Sequence, residues 1–165
     1  MPPAPEVRVI GRTLPTLKGR SIGILFEQGS DAGTLRALVA AARDAGAMVK
    51  LVAPRLGGAV LSDGQRQAAD GQLAGTPSVL FDAVAVVLSA EAGQRLAKES
   101  AAVDFVSFAF AHLKAIAHDA GVAPLLEAAN VEKDAGIVDA SDTEAFLAAA
   151  ALRQWDREPK LRTLA

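Results

Sequence analysis

The chain contains no cysteine and no tyrosine among its 165 residues, and only two histidines. Without a thiol there can be no disulfide and no cysteine nucleophile. Charge of neither sign dominates. A formal net charge of −2 leaves no basic footprint for nucleic acid. Long apolar runs are also missing: the longest, Ala145–Leu152, is eight residues, far short of a bilayer-spanning helix. The opening MPPAPEVRV lacks the charged-then-apolar pattern of an export signal, so the expectation is a cytoplasmic protein without membrane contact. What remains is globular composition, with 51% hydrophobic and 22% charged residues. A chain of this length forms one domain and buries roughly 70% of its unfolded surface. Much of the apolar fraction is alanine, so the core must rest on Leu, Ile, Val and six Phe.

Residues 1–19 hold four prolines and scattered charge, which reads as a linker or arm ahead of a domain spanning 20–165. Ser21–Phe26 and Met48–Ala53 are short apolar strands, and between them Leu35, Leu38, Val39 and Ala42 recur at helical spacing. That helix is capped by Ser30 or Asp31 and stops at Gly46. Gly57 to Gly75 reads as a hairpin-like excursion. Ala83–Leu88 is almost continuously apolar, the pattern of a central strand buried on both faces. Helices follow near 91–99 and 101–113, then a strand at Lys114–Ala117 and a helix at Val122–Ala129. A last strand is expected at Gly136–Val138. A capping box, Ser141-x-x-Glu144, opens a final helix through Trp155. Alternating strands and helices predict a three-layer α/β sandwich, with a mostly parallel flavodoxin-like sheet and helices on both faces.

The most suggestive chemistry lies in KAIAHDAGVAPLL, where a strand meets a helix at a sharp turn. Such turns carry nucleophiles in several enzyme classes, because the bend lifts one side chain towards the helix dipole. Here the turn offers Asp119. A carboxylate can be a covalent nucleophile, but one at a helix start more simply caps amide donors. His118 is adjacent, yet neighbours on an extended segment point to opposite sides, so the pair makes no dyad. His112 belongs to a helix surface, and no metal site is expected. Ser89 is read as a helix cap. Gly29-Ser-Asp-Ala-Gly33 has neither the dinucleotide nor the Gly-Lys-Ser/Thr phosphate pattern. On the helix at 101–113, Phe105 and Phe108 share a face while Phe110 is displaced, which predicts core packing with one ring left for a partner. Arg153, Arg157, Lys160 and Arg162 make a modestly basic tail, read as solvated or docking.

The segment SIGILFEQGSDAGTLRALVAAARDAGAMVKLVAPRLG resembles the class I glutamine amidotransferase-like superfamily, including intracellular proteases of the PfpI type. More closely, LKGRSIGIL, MVKLVAPRLG, LAGTPSVLFDAVAV, AHLKAIAHDAG and AALRQWDREPK resemble, in order, the C-terminal domain of large-subunit catalases. The superfamily's reactive cysteine falls at or beside Asp119, with Ala120-Gly121 retained, and its carboxylate partner falls at about Thr34. Both acting groups are therefore absent. The resemblance implies an accessory domain with a structural or oligomer-assembly role, and a holdase role towards unfolded chains. Its partners would be a catalase core, further copies of itself, or both. The parent would destroy hydrogen peroxide, in the oxidative stress response, at a haem held by tyrosine; a chain without tyrosine holds no such haem itself. The rival reading is a PfpI-type binding or hydrolytic enzyme using Asp119, with Glu27, Asp31, Thr34, His118 and Asp119 lining a residual pocket. A flavin- or nucleotide-binding protein is a third.

Overall fold

The computed structural model describes residues 15–161; most of the arm expected at 1–19, and Arg162, lie outside the described residues. Six strands form one wholly parallel sheet: β1 (Ser21–Phe26), β2 (Met48–Ala53), β5 (Gly71–Gln72), β6 (Ala83–Val87), β7 (Ile116–His118) and β8 (Ile137–Asp139). Their order is β5-β2-β1-β6-β7-β8. A small antiparallel pair, β3 (Ala59–Val60) and β4 (Arg66–Gln67), supplies the expected hairpin between 57 and 75. The same stretch also gives the edge strand β5, which the sequence reading did not foresee.

Alternation along the strands divides the core. Ile22, Ile24 and Phe26, with Ala83, Ala85 and Val87, face the helices α1 (Ala32–Asp44) and α5 (Thr143–Ala150). Leu25, Val84 and Val86 face α2 (Ala90–Leu96), α3 (Ser100–Ala111) and α4 (Ala123–Ala128). All five residues of β6 are fully buried, so the continuous apolar run is the central strand its composition predicts. Gly23 exists for the same packing: a Cβ there would overlap the Phe81 ring.

Boundaries moved where side chains compete for the backbone. Asp31, not Ser30, caps α1 by accepting from Thr34 N at 2.7 Å. The expected Ser141–Glu144 box does not form. Ser141 turns back to Asp139, and Asp142 caps α5 through Ala145 N at 2.9 Å. That helix ends at Ala150 rather than Trp155, and a 3-10 turn at Trp155–Arg157 leads into α6 (Glu158–Leu161). The strand read at Lys114–Ala117 pairs only over 116–118, because Lys114 is spent as an anchor described below. The buried rings of α3 are Phe105 and Phe110, and Phe108 is the exposed one. Phe105 packs on Phe81 (centroids 6.3 Å) and Phe110 lies under the Arg157 guanidinium (4.1 Å).

Candidate functional site

In a doubly wound sheet, ligands enter at the carboxyl edge, where the strand order reverses. Here the reversal lies between β1 and β6. The chain runs outward from β1 to β2 and β5, then returns to β6 on β1's other side. This crevice is closed by hydroxyls. Ser30, wholly buried, donates to Val87 O at 2.6 Å and accepts from Glu27 N at 2.9 Å. Ser89 donates to Gln28 O at 3.1 Å and, as expected, caps α2 by accepting from Ala92 N at 3.2 Å.

The turn after β7 holds Asp119 but lacks the strain of a nucleophile elbow. Asp119 is extended, with φ −94° and ψ 177°, and its carboxylate accepts no capping hydrogen bond from the following turn at Ala120–Val122. The capping role read from sequence is thus corrected: Oδ2 accepts from Leu88 N, 3.0 Å away at the end of β6. Its other oxygen, Oδ1, is buried without a hydrogen-bond partner. Burial pushes the carboxyl up to about 6, against the opposing pull of the Leu88, Gly121 and Val122 amides and of His118. The space over the turn is filled by backbone. A Cβ on Gly121 would overlap the Leu88 carbonyl, and one on Gly93 of α2 would overlap the Gly121 carbonyl. On that side of the turn two main chains are in contact, while Asp119 stays half-buried and Ala120 exposed.

The remaining residues of the expected pocket separate. Asp31 is exposed and held below its usual range by the Thr34 N–H and hydroxyl. Thr34 therefore belongs to a helix cap, not to a charge partner of Asp119. His118 places Nδ1 3.0 Å from the carbonyl of Asp119, not its carboxylate. Glu27 pairs with Arg95 of α2 and lines a cleft of about 600 Å³ with Gln28, Arg55, Arg66 and Glu99. None of Asp31, Thr34, His118 or Asp119 lines that cleft. Among the described residues no cluster of three or more His, Asp or Glu is placed to hold a metal ion. The chain has no tyrosine to ligate haem as expected for the parent, and both histidines place Nδ1 against backbone carbonyls, His112 against Phe108 O at 2.7 Å.

Two buried charges escaped the sequence reading. Lys114, 3% exposed, points Nζ at Ser78 O, 2.7 Å away in the 3-10 turn ahead of β6. Burial and the Arg153 charge push its amine down to about 8, against the pull of Asp82. Arg157, placed in a solvated tail by its neighbours, is 2% exposed. It forks onto Asp134 at 2.7 and 2.9 Å and donates to Phe110 O and Lys114 O. A lysine opening an apolar strand, and an arginine two residues after the only tryptophan, were the available signals.

Residues 18–158 match the family model of the C-terminal domain found in long catalases. The chain is 42% identical to Catalase C of Rhizobium meliloti, over 97% of its own length and 24% of that protein. It is 32% identical to Catalase-2 of Bacillus subtilis, over 88% and 22%. The chain thus spans about a quarter of the length of these relatives. Among solved structures, oxidized DJ-1 of Toxoplasma gondii superposes with a TM-score of 0.67 at 15% identity, covering 88% of this chain and 97% of that one. A ThiJ/PfpI domain protein from Brachyspira murdochii gives 0.65 at 14%, covering 79% and 94%. At those identities the likeness concerns the fold alone.

Proposed function

The chain belongs to the family of C-terminal domains found in long catalases, and from that premise we propose that it is a non-catalytic accessory domain with a structural role. It packs on a catalase core, stabilises the folded enzyme and favours its assembly. Peroxide chemistry and haem reside in that core, in the cytoplasm. The observation that carries this reading is the state of Asp119. At the position of the superfamily's nucleophile stands a half-buried carboxylate in relaxed extended backbone, tied to Leu88 N beside the Gly93–Gly121 contact. Chemistry needs a reachable, activated group; a tie between two strands needs only a hydrogen bond. Among the described residues, no helix is long and apolar enough to cross a membrane.

The test is deletion of the matched region from a full-length relative, such as Catalase C of Rhizobium meliloti. The shortened enzyme is expected to lose resistance to heat and denaturant and to assemble in lower yield, while each loaded haem turns over peroxide at a similar rate. Unchanged inactivation and assembly, or loss of turnover in a fully assembled and loaded core, would overturn the structural role. Peptidase or glyoxalase turnover by the 165-residue chain, abolished by Asp119→Asn, would restore the enzymatic alternative.

A further inference from the structure

The parallel sheet begins all its strands on one edge, and that edge is where apolar side chains stand in solvent. Met48, 65% exposed, opens β2; Val79 and Leu80, at 49% and 57%, occupy the 3-10 turn ahead of β6. Met48 and Leu80 wall a cavity of about 390 Å³ with Phe81 at its side. The patch continues across the Asp82–Arg153 ion pair (3.7 Å) to exposed Leu152 and Trp155. Phe108 stands one turn from the end of α3, on the same side of the fold. Among the described residues, exposed Leu56 instead stands just past the carboxyl end of β2. Scattered apolar residues need no explanation, but a grouped set marks a contact surface.

The geometry points to this amino-edge face, centred on Met48 and Leu80, as the surface that docks the catalase core; the inference rests on the accessory-domain reading above. The path of the chain selects the occupant. The described chain enters at Pro15–Arg20, Arg20 N closes a turn on Leu17 O, and Arg20 O accepts from Met48 N at 2.8 Å. The incoming backbone therefore lies beside Met48. Relatives are about four times as long, with this domain at their C-terminal end. Whatever precedes β1 in them is tethered on this face. A tether raises local concentration into a range where a modest apolar patch suffices to bind, an advantage a second free copy lacks.

Apart from Met1, Met48 is the chain's only methionine, so its thioether is a built-in reporter. The experiment compares chloramine-T oxidation of Met48, read by peptide mass, in the 165-residue chain and in Catalase C of Rhizobium meliloti carrying this chain in place of its matched region. Oxidation follows exposure, so docking should slow it about tenfold in the chimera. Leu80→Asp should restore the rate in the chimera, and Leu56→Asp should leave it slow. Both sites are exposed, and circular dichroism of the variant chains checks their folding. Equal rates in chain and chimera overturn the inference. So does protection in the isolated chain that grows with concentration, which assigns the face to a second copy. Heat inactivation separates the two readings. A protected Met48 in an enzyme whose stability is indifferent to the domain keeps the docking face and sinks the structural role. An open Met48 in an enzyme that needs the domain does the reverse.

Discussion

The two ends of β7 carry the same device with opposite charge. Before the strand, Lys114 reaches across to Ser78 O; after it, Asp119 reaches across to Leu88 N. Leu88 directly follows β6 and Ser78 lies in the 3-10 turn ahead of it, so the flanks of β7 are tied by ionisable side chains to the segments on either side of β6. Around these clamps the two edges diverge. At the carboxyl edge small residues pack the turn around Asp119, with Ser30 and Ser89 bonding carbonyls and Gly93 against Gly121. The amino edge is held by long charged side chains, Lys114 and Arg157, beneath an exposed apolar rim. The carboxyl edge is tightly packed around the Asp119 turn and opens beside it into the Glu27 cleft, while the amino edge carries the exposed apolar side chains.

The heaviest blow to this contrast would fall on the amino edge. Arg157 is buried, forked onto Asp134, and satisfies the carbonyls of Phe110 and Lys114. Burial raises the Asp134 carboxyl, but the Arg157 fork and Gly136 N–H outweigh it and hold the group below its usual value. Removing the guanidinium leaves a half-buried charge and takes the Arg157 donor from Lys114 O, while Phe110 O keeps Leu113 N, so Arg157→Ala should cost about 3–5 kcal/mol in urea unfolding. Arg157→Lys restores the charge but not the fork, and should recover less than half of that. A loss below about 1 kcal/mol for the alanine variant would show that the tail does not hold this edge.

The seal at the carboxyl edge should be nearly as sensitive to a single methyl group. Gly93→Ala places a Cβ on the Gly121 carbonyl, and backbone cannot yield as a side-chain end can. The expected cost is about 2–3 kcal/mol, or roughly 4–12 °C in Tm. Gly75→Ala, where a Cβ meets nothing within 4 Å, is the matched control and should shift Tm little. Equal small shifts for both would mean the crevice is loose enough to admit a ligand.

What the sequence disclosed follows from range. The apolar run at 83–88 and the helical spacing in α1 are local patterns, and both elements stand where they were read. So does the Ser89 cap. The clamps are long-range: Lys114 meets a residue 36 positions away and Arg157 one 47 away, and no periodicity announces such a partner. Charge alternation around Arg157 instead imitates a solvated tail. The Phe110 ring was set aside by helical geometry, yet it is buried because Arg157 covers it from outside the helix. At Asp119 the residue was found and its action was not. A carboxylate that caps its own helix and one that crosses to the next strand have the same local sequence.

The finest test uses the two clamps as opposite titrations. Asp119 has a folded-state value of about 6 against an ordinary 3.8, so between those limits the folded chain keeps a proton that the unfolded chain has lost. Stability from this group is therefore greatest below about pH 4 and falls as pH rises towards 6. Lys114 runs from an ordinary 10.5 down to about 8, so between those limits the unfolded chain holds the extra proton. Its contribution to stability rises with pH from about 8 to about 10.5. Near pH 7 both groups are charged and both are in their costly forms. Asp119→Asn keeps an oxygen to accept from Leu88 N without the charge. It should gain on the wild-type chain by about 1 kcal/mol as pH climbs from 4 to 7, the partial exposure of the carboxylate limiting the effect. Asp119→Ala leaves Leu88 N without its acceptor and should lose about 1 kcal/mol even at pH 4. Lys114→Met should flatten the alkaline rise and leave the acid limb untouched. Urea midpoints for the variants and the wild-type chain across pH 4 to 10.5 cancel the other carboxylates, which are unaltered. If the Asp119→Asn difference is flat from pH 4 to 7, the carboxylate is not charged in a dry site. The carboxyl edge would then be open to water, and the contrast between the two ends of the sheet would fail at the residue on which the accessory role rests.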